Sequence, residues 1–431
     1  MRVCVVGLWH LGCVICACLA KVGHQVVGVD SSDETVSNLR RGKAPLFEPG
    51  LDELIAAGLA TAALRFETDP HAAAGAEVIW IAYDTPVDDD DVPQVAAVVD
   101  RITNLLPQLS NGALVLLSSQ LPVGTTRQLA KVAAEQGRSL TFGYSPENLR
   151  LGRAIDVFSN PDRVIVGLQS RAHRPKVLAL LAPFTDKIVW TGIEAAEMTK
   201  HAINGFLATS IAFMNEIAAI CERVGADAIE VESGLKSDER IGPKAYLSPG
   251  GAFAGGTLAR DVTTLADLGH RLGIPVSLIS AIRDSNDQHR SWPFRKLRER
   301  LGGFGGRRIA VLGLTYKPGT STLRRSSAVQ LAIELQAEGA TVVAFDPAVP
   351  VLPPDVPPCL TVASSPREAL EDADAAVLAT PWPTFRELRW SELLAVMRTA
   401  VIIDANGFVA ASLRNRPGIS YVAVGLPWSV D

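Results

Sequence analysis

The chain opens on Met1-Arg-Val-Cys-Val-Val-Gly7, an apolar run that passes directly into Gly7-Leu-Trp-His-Leu-Gly12. A short apolar run, a glycine-bounded turn and then a helical pattern ending near Gly23 fit few folds. His24 to Asp30 repeats the strand signal. Strand, tight turn, helix and strand make the first unit of a parallel sheet. Further strands are expected at Val78 to Tyr83, Ala113 to Ser119, Leu140 to Tyr144 and Val164 to Gly167. Helical patterns fall between them, at Val95 to Leu109 and Gly124 to Gln136. The alternation predicts an α/β fold that begins with a doubly wound, Rossmann-like lobe.

The pattern then changes. Ala195 to Val224 reads as one long helix, with Glu197 near its start and Gly225 just past its end as boundary signals. Helical periodicity resumes at Leu258 to Leu272 and from Val276 towards Leu301. Gly302-Gly-Phe-Gly-Gly306 has the composition of a hinge or linker. A second alternating unit follows: strand Arg308 to Leu314, helix Ala328 to Glu338, then strands at Thr341 to Asp346, Ala375 to Ala379 and Val401 to Asp404. The expected organisation is two Rossmann-like lobes joined by a long central helix and a helical middle domain. Its boundaries are 1–190, 191–301 and 302–431, and the length of 431 residues suits roughly two to three domains.

A formal net charge of −5 argues against a general binder of nucleic acid or membrane surfaces. The most apolar long stretch, Ala202 to Cys221, is broken by Asn204, Asn215 and Glu216, which favours a buried or interface helix over a membrane span. The chain starts on a strand with no signal-like apolar segment before it, so the expected location is the cytoplasm. Three of the six cysteines, Cys13, Cys16 and Cys18, fall on the first helix, where cysteine packs as a small apolar residue. A metal site is the competing reading, but no second Cys/His cluster completes it. The run Asp88 to Asp91 reads as a solvated loop, with a metal role as the alternative.

Gly7 and Gly12 close a turn between a strand and a helix, and Asp30 ends the next strand. This is the setting of a dinucleotide site, with phosphate at the helix N-terminus and an acid on the ribose hydroxyls. An ordinary tight turn is the competing reading, because Trp9 stands where a middle glycine would let the pyrophosphate approach. The carboxylate of Asp30 favours NAD over NADP, since it repels a 2′-phosphate. Lys200 and Asn204 lie four residues apart on one face of the long helix, where polar groups need partners or a function. A surface lysine beside an unrelated asparagine is the alternative.

Several segments together carry a resemblance. Tyr246-Leu-Ser-Pro-Gly-Gly-Ala-Phe-Ala-Gly-Gly-Thr-Leu-Ala-Arg-Asp-Val262 resembles the active-site loop of the UDP-glucose/GDP-mannose dehydrogenase family. Ser145-Pro-Glu-Asn-Leu-Arg-Leu-Gly152, Asn160 to Gly167, Glu48-Pro-Gly-Leu51, Arg240-Ile-Gly242 and Val401 to Asp404 resemble further stretches of that family, in the same order. The resemblance implies an NAD-dependent oxidation of a nucleotide-diphosphate sugar, carried out by a homodimer. Lys200 then handles the proton of the substrate hydroxyl or polarises its oxygen, Asn204 orients the substrate, and Glu147, Asp261 and Gln120 complete the catalytic set. Gly7, Trp9, His10, Leu11, Gly12, Asp30, Thr85 and Pro86 are the implied cofactor residues. Tyr246, Phe253, Gly255, Lys317 and Arg324 are the implied substrate residues, with Arg240 reaching the sugar across a dimer. Glu48 to Leu51 is an expected substrate-side loop. For Lys317 and Arg324, ordinary surface charge is the alternative.

Three positions depart from the family pattern. Thr257 stands where the family has a nucleophilic cysteine, Gln120 where it usually has a threonine that helps position water, and Trp9 replaces the fingerprint glycine. The family takes an alcohol to a carboxylate in two oxidations, with the thiolate trapping the intermediate aldehyde. Without the thiol, the leading expectation is a single two-electron oxidation. The alternatives are full oxidation through the aldehyde hydrate, and an inactive relative that only binds nucleotide sugar.

Overall fold

A computed structural model of the chain describes residues 1–86, 93–147, 149–254, 256–323, 325–353 and 360–429. Asp88 to Asp91, Gly255, Arg324 and Cys359 lie outside the described residues. The chain divides into two compact units, Met1–Ile203 and Asn204–Asp431.

The first unit is built on eight strands: β1 (Arg2–Val6), β2 (Gln25–Val29), β3 (Leu64–Glu67), β4 (Val78–Ile81), β5 (Leu114–Leu117), β6 (Thr141–Tyr144), β7 (Val164–Leu168) and β8 (Ile188–Thr191). Their order across the sheet is β3-β2-β1-β4-β5-β6-β7-β8. All neighbours are parallel except β6 and β7. Along β1, Val3 and Val5 pack into one core while Cys4 and Val6 pack into another on the opposite face. A strand covered on both sides has no polar face to show, which explains its unbroken apolar run. Cys13, Cys16 and Cys18 lie on the first helix, His10–Lys21, and are fully buried in the first of these cores. Burial pushes the Cys16 thiol well above its ordinary value.

The second unit carries β9 (Arg308–Leu312), β10 (Thr341–Phe345), β11 (Thr361–Val362), β12 (Ala375–Leu378), β13 (Val401–Asp404) and β14 (Ser420–Val422). They form a parallel sheet ordered β11-β10-β9-β12-β13-β14. Helices Thr257–Arg271, Ser277–Arg290 and Trp292–Leu301 precede it. The helical periodicity expected from Val276 towards Leu301 is realised as two helices that meet at Ser291, just before Pro293 in the first turn of the second. The glycine-rich stretch after Leu301 is anchored: Gly302 closes the helix, and Phe304 is buried with its ring 4.9 Å from that of Phe294.

The long helix spans Ile193–Val224, and the division between the units falls inside it. It is long and apolar enough to cross a membrane by length and composition, yet 44% of its most apolar window is buried within the structure. Part of its apolar surface therefore serves the protein core. Edge strands β3, β8, β11 and β14 carry no clear periodic signal and are not expected from sequence.

Glu197 proves to be more than a boundary signal. Its carboxylate is fully buried and accepts from the amides of Gly124 (2.6 Å) and Thr126 (2.9 Å) and from the Thr126 hydroxyl (2.6 Å). Helix Thr125–Glu135 has no side-chain cap of its own, so Glu197 satisfies its first amides and opposes its dipole. Glu197→Ala should lower stability by about 2–4 kcal/mol, because it strands buried donors. The check is the thermal-unfolding midpoint, and an unchanged midpoint would show that water replaces the carboxylate.

Candidate active site

The order β3-β2-β1-β4 reverses direction between β1 and β4, and in sheets of this kind ligands bind at such a reversal, beyond the C-terminal ends of the strands. The turn Gly7 to Gly12 lies at this point. Gly7 has φ +95°, and a Cβ on it would stand 2.8 Å from the Tyr83 amide. A Cβ on Gly12 would collide with the carbonyl oxygen of Gly7. Both positions therefore need glycine. Trp9 is 48% exposed, so its side chain is not part of the packing that closes the turn. Asp30 accepts from the Leu8 amide (2.7 Å) and the Ser32 amide (3.0 Å), which fixes its carboxylate beside the turn. A cradle too tight for side chains, a helix N-terminus and a fixed, partly exposed acid all fit a dinucleotide. Beside them, the Thr85 hydroxyl donates to the Gln120 carbonyl (2.7 Å) and Pro86 is exposed.

His10 is the first residue of the helix, and its Nε2 lies 2.9 Å from the Glu48 carboxylate. Glu48 is buried and its carboxylate also accepts from the amides of Gly152 and Ala154, while Phe47, Pro49 and Gly50 of the same loop are exposed.

Lys200 is 6% exposed. Its Nζ donates to the Glu147 carbonyl (2.6 Å) and lies 3.5 Å from the Glu147 carboxylate. The loop carrying Glu147 is held from below, where Trp80 Nε1 donates to Ser118 Oγ (2.9 Å) and Ser118 Oγ donates to the Ser145 carbonyl (2.6 Å). Lys200 and Glu147 thus form a fixed pair of a cation and a carboxylate, a unit able to take up and pass on a proton.

In the second unit, the Asn204 amide donates to the carboxylate of Asp261, which is fully buried. Thr257 is the first residue of helix Thr257–Arg271, one turn before Asp261, and is exposed. The loop that leads to it is pinned by amide and imidazole side chains. Asn215 accepts from the Gly250 amide (3.0 Å), His289 donates to the Gly250 carbonyl (2.8 Å), and Asn406 accepts from the Gly251 amide (3.0 Å). Asn286 accepts from the Phe253 amide (2.9 Å) and donates to its carbonyl (3.0 Å). Burial lowers His289 below the usual imidazole value, so it acts as a neutral donor. Phe253 packs against a small core with Ala208, Ala212, Val262 and Ile282.

A cleft of about 240 Å³ lies at the ends of β9, β12 and β13, lined by Gly251, Tyr316, Lys317, Pro381 and Asn406 among others. Lys317 therefore faces a concave site, 5.3 Å from the Tyr316 ring centroid. Tyr246 and Arg240 are exposed, and Arg240 is paired with Asp238 (2.7 Å).

The second unit repeats the first in outline. Gly313 (φ +91°) ends β9, and the Leu314 amide donates to Asp346 at the end of β10 (2.6 Å). Asp346, however, is buried and also accepts from the Thr315 hydroxyl (3.2 Å) and Trp382 Nε1 (3.0 Å). The following helix starts only at Ser327. Among the described residues, the acid at the end of β10 is occupied and no helix N-terminus adjoins the Gly313 turn.

Sequence reasoning missed Asn286, His289 and Asn406, which lie in no motif. Asn215 was visible as a polar break in an apolar helix.

Family models match three stretches. Residues 1–185 match the NAD binding domain of the UDP-glucose/GDP-mannose dehydrogenase family, residues 194–288 its central domain, and residues 310–411 its UDP binding domain. The UDP-glucose 6-dehydrogenase of Pseudomonas aeruginosa is 34% identical over 99% of this chain and 98% of its own length. A UDP-glucose dehydrogenase structure from Pyrobaculum islandicum superposes with a TM-score of 0.88 at 30% identity, covering 99% of this chain and 98% of that one. A UDP-D-ManNAc dehydrogenase structure from Pyrococcus horikoshii gives 0.85 at 25% identity, covering 99% of each chain. The dinucleotide turn, the whole-length match and the shared fold agree, and the chain belongs to the UDP-glucose/GDP-mannose dehydrogenase family of NAD-dependent nucleotide-sugar dehydrogenases.

Proposed function

We propose that this chain oxidises one alcohol carbon of a nucleotide-linked sugar by two electrons and releases a carbonyl product. The observation that carries this reading is the threonine at position 257, at the first turn of its helix. A thiol at a helix N-terminus is readily held as thiolate. A threonine hydroxyl stays protonated near neutral pH and is a poor trap for an aldehyde unless a base activates it. The first oxidation needs no such trap.

Lys200 and Glu147 are the proposed proton-handling pair. The Lys200 ammonium polarises the substrate oxygen, and the hydroxyl proton passes to the Glu147 carboxylate, 3.5 Å from Nζ, and on to solvent. NAD, held by Gly7, Gly12 and Asp30, supplies the acceptor for the hydride that leaves the same carbon. Asn204 and Asp261 orient the sugar. The nucleoside diphosphate belongs in the cleft beside Lys317, with Tyr246 and Phe253 on the loop that borders it. The division into 1–190, 191–301 and 302–431 and a cytoplasmic setting are parts of the same proposal.

A homodimer is proposed on the long helix. Phe206, Phe213, Ile220 and Val224 are exposed at helical spacing and form an apolar stripe. A second copy covering that stripe would also give Arg240 a partner's sugar to reach. Phe213→Asp with Ile220→Asp should halve the mass measured by sedimentation. An unchanged mass would place the interface elsewhere.

Incubation with NAD and a panel of nucleotide sugars should yield one NADH per sugar and a product two mass units lighter. Two NADH per sugar with a uronate product would sink the single-oxidation reading, and binding without NADH would mark an inactive relative. Thr257→Cys should then permit the second oxidation. Lys200→Met should reduce turnover by about 10²- to 10⁴-fold while nucleotide-sugar binding, followed by calorimetry, persists.

A further inference from the structure

The buried carboxylate of Glu48 has no part in the chemistry above, yet it joins two segments that do. One oxygen lies 2.9 Å from His10 Nε2 and accepts from the Gly152 amide at 2.8 Å. The other accepts from the Ala154 amide at 2.9 Å. His10 opens the helix of the dinucleotide turn. Gly152 and Ala154 close the segment that begins at Glu147, whose carbonyl and carboxylate both meet Lys200. The three partners are 38, 104 and 106 residues away from Glu48 in sequence, so no local turn demands the arrangement.

We propose that Glu48 is a positioning residue that couples occupancy of the dinucleotide turn to the backbone carrying Glu147, with His10 as the relay. This rests on the reading of the turn as the cofactor site and of Glu147 as a member of the proton-handling pair. A carboxylate offers only acceptors to these partners, so the Nε2 of His10 carries a proton and the ring orientation is set from the buried side. Any group that engages the other side of His10 or the adjoining backbone pulls on a ring already tied to Glu48. The same carboxylate holds Gly152 and Ala154. Order at the turn therefore becomes order in the Glu147 segment.

The geometry also argues against simple loop anchoring. Burying a carboxylate is expensive, and an apolar side chain would fasten a loop with less penalty. What an apolar side chain lacks is a directional link to an imidazole at the cofactor's helix. The residues beside the pair, Trp9 and Phe47, are exposed, so the link lies just beneath the accessible surface of the turn.

Hydrogen exchange on the full chain, with and without saturating NAD, tests this. In the unaltered protein NAD should slow exchange both at the turn and at the amides of Gly152 and Ala154, the latter by about fivefold to tenfold, as for one strengthened hydrogen bond. In His10→Ala, which leaves both backbone bonds to Glu48 in place, NAD raised until the turn is protected as in the unaltered chain should no longer protect Gly152 and Ala154. Glu48→Gln should behave the same way, with faster exchange at those amides even without NAD. Equal protection of Gly152 and Ala154 in His10→Ala and the unaltered chain would overturn the coupling. So would protection of the turn alone in the unaltered chain. Protection of neither segment would instead remove the cofactor assignment of the turn, and the coupling with it.

Discussion

The hydrogen bond from the Leu8 amide to the Asp30 carboxylate is the contact on which the first unit's chemistry depends. It ties the first residue past the Gly7 turn to the end of β2. It leaves Asp30 fixed and partly exposed where two ribose hydroxyls would arrive. The tight packing of Gly7 against Tyr83 and of Gly12 against Gly7 follows from the same closure. Once strand end, turn and helix start are locked, His10 falls within reach of Glu48, and Glu48 within reach of the segment after Glu147.

The loop before Thr257 is arranged on another principle. Asn215, Asn286, His289 and Asn406 each hold a backbone group of that loop. A loop fixed through its main chain leaves its side chains unconstrained by the anchoring. This is a tolerant design: the identity of residue 257 can change without removing a bond that holds the loop.

Much of this was legible in the sequence. The alternation of apolar runs and helical stretches located the central strands, because strands buried on both faces are unbroken apolar runs. Gly7, Gly12 and Asp30 marked the turn between β1 and the first helix, since only glycine fits where backbone meets backbone. Edge strands such as β8, which is only partly buried, and β14, which opens on Ser420, escaped because they lack the central strands' unbroken apolar run. Glu48 and Glu197 were visible as acids, but their partners lie far along the chain, and no local pattern reports a carboxylate that caps a distant backbone. The amide anchors of the Thr257 loop were hidden for the same reason. Trp9 was the reverse case: a residue that breaks a motif in the sequence is half-exposed in the structure and takes no part in closing the turn.

The sealed carboxylate of Asp346 has a wider meaning. The two units share a strand–glycine–acid plan, as two castings from one mould would, yet in the second the acid is plugged by an indole and a hydroxyl. A chain with two working copies would divide a scarce dinucleotide between a productive seat and an idle one. With its acid occupied, the second lobe is free to specialise in whatever fills its own cleft.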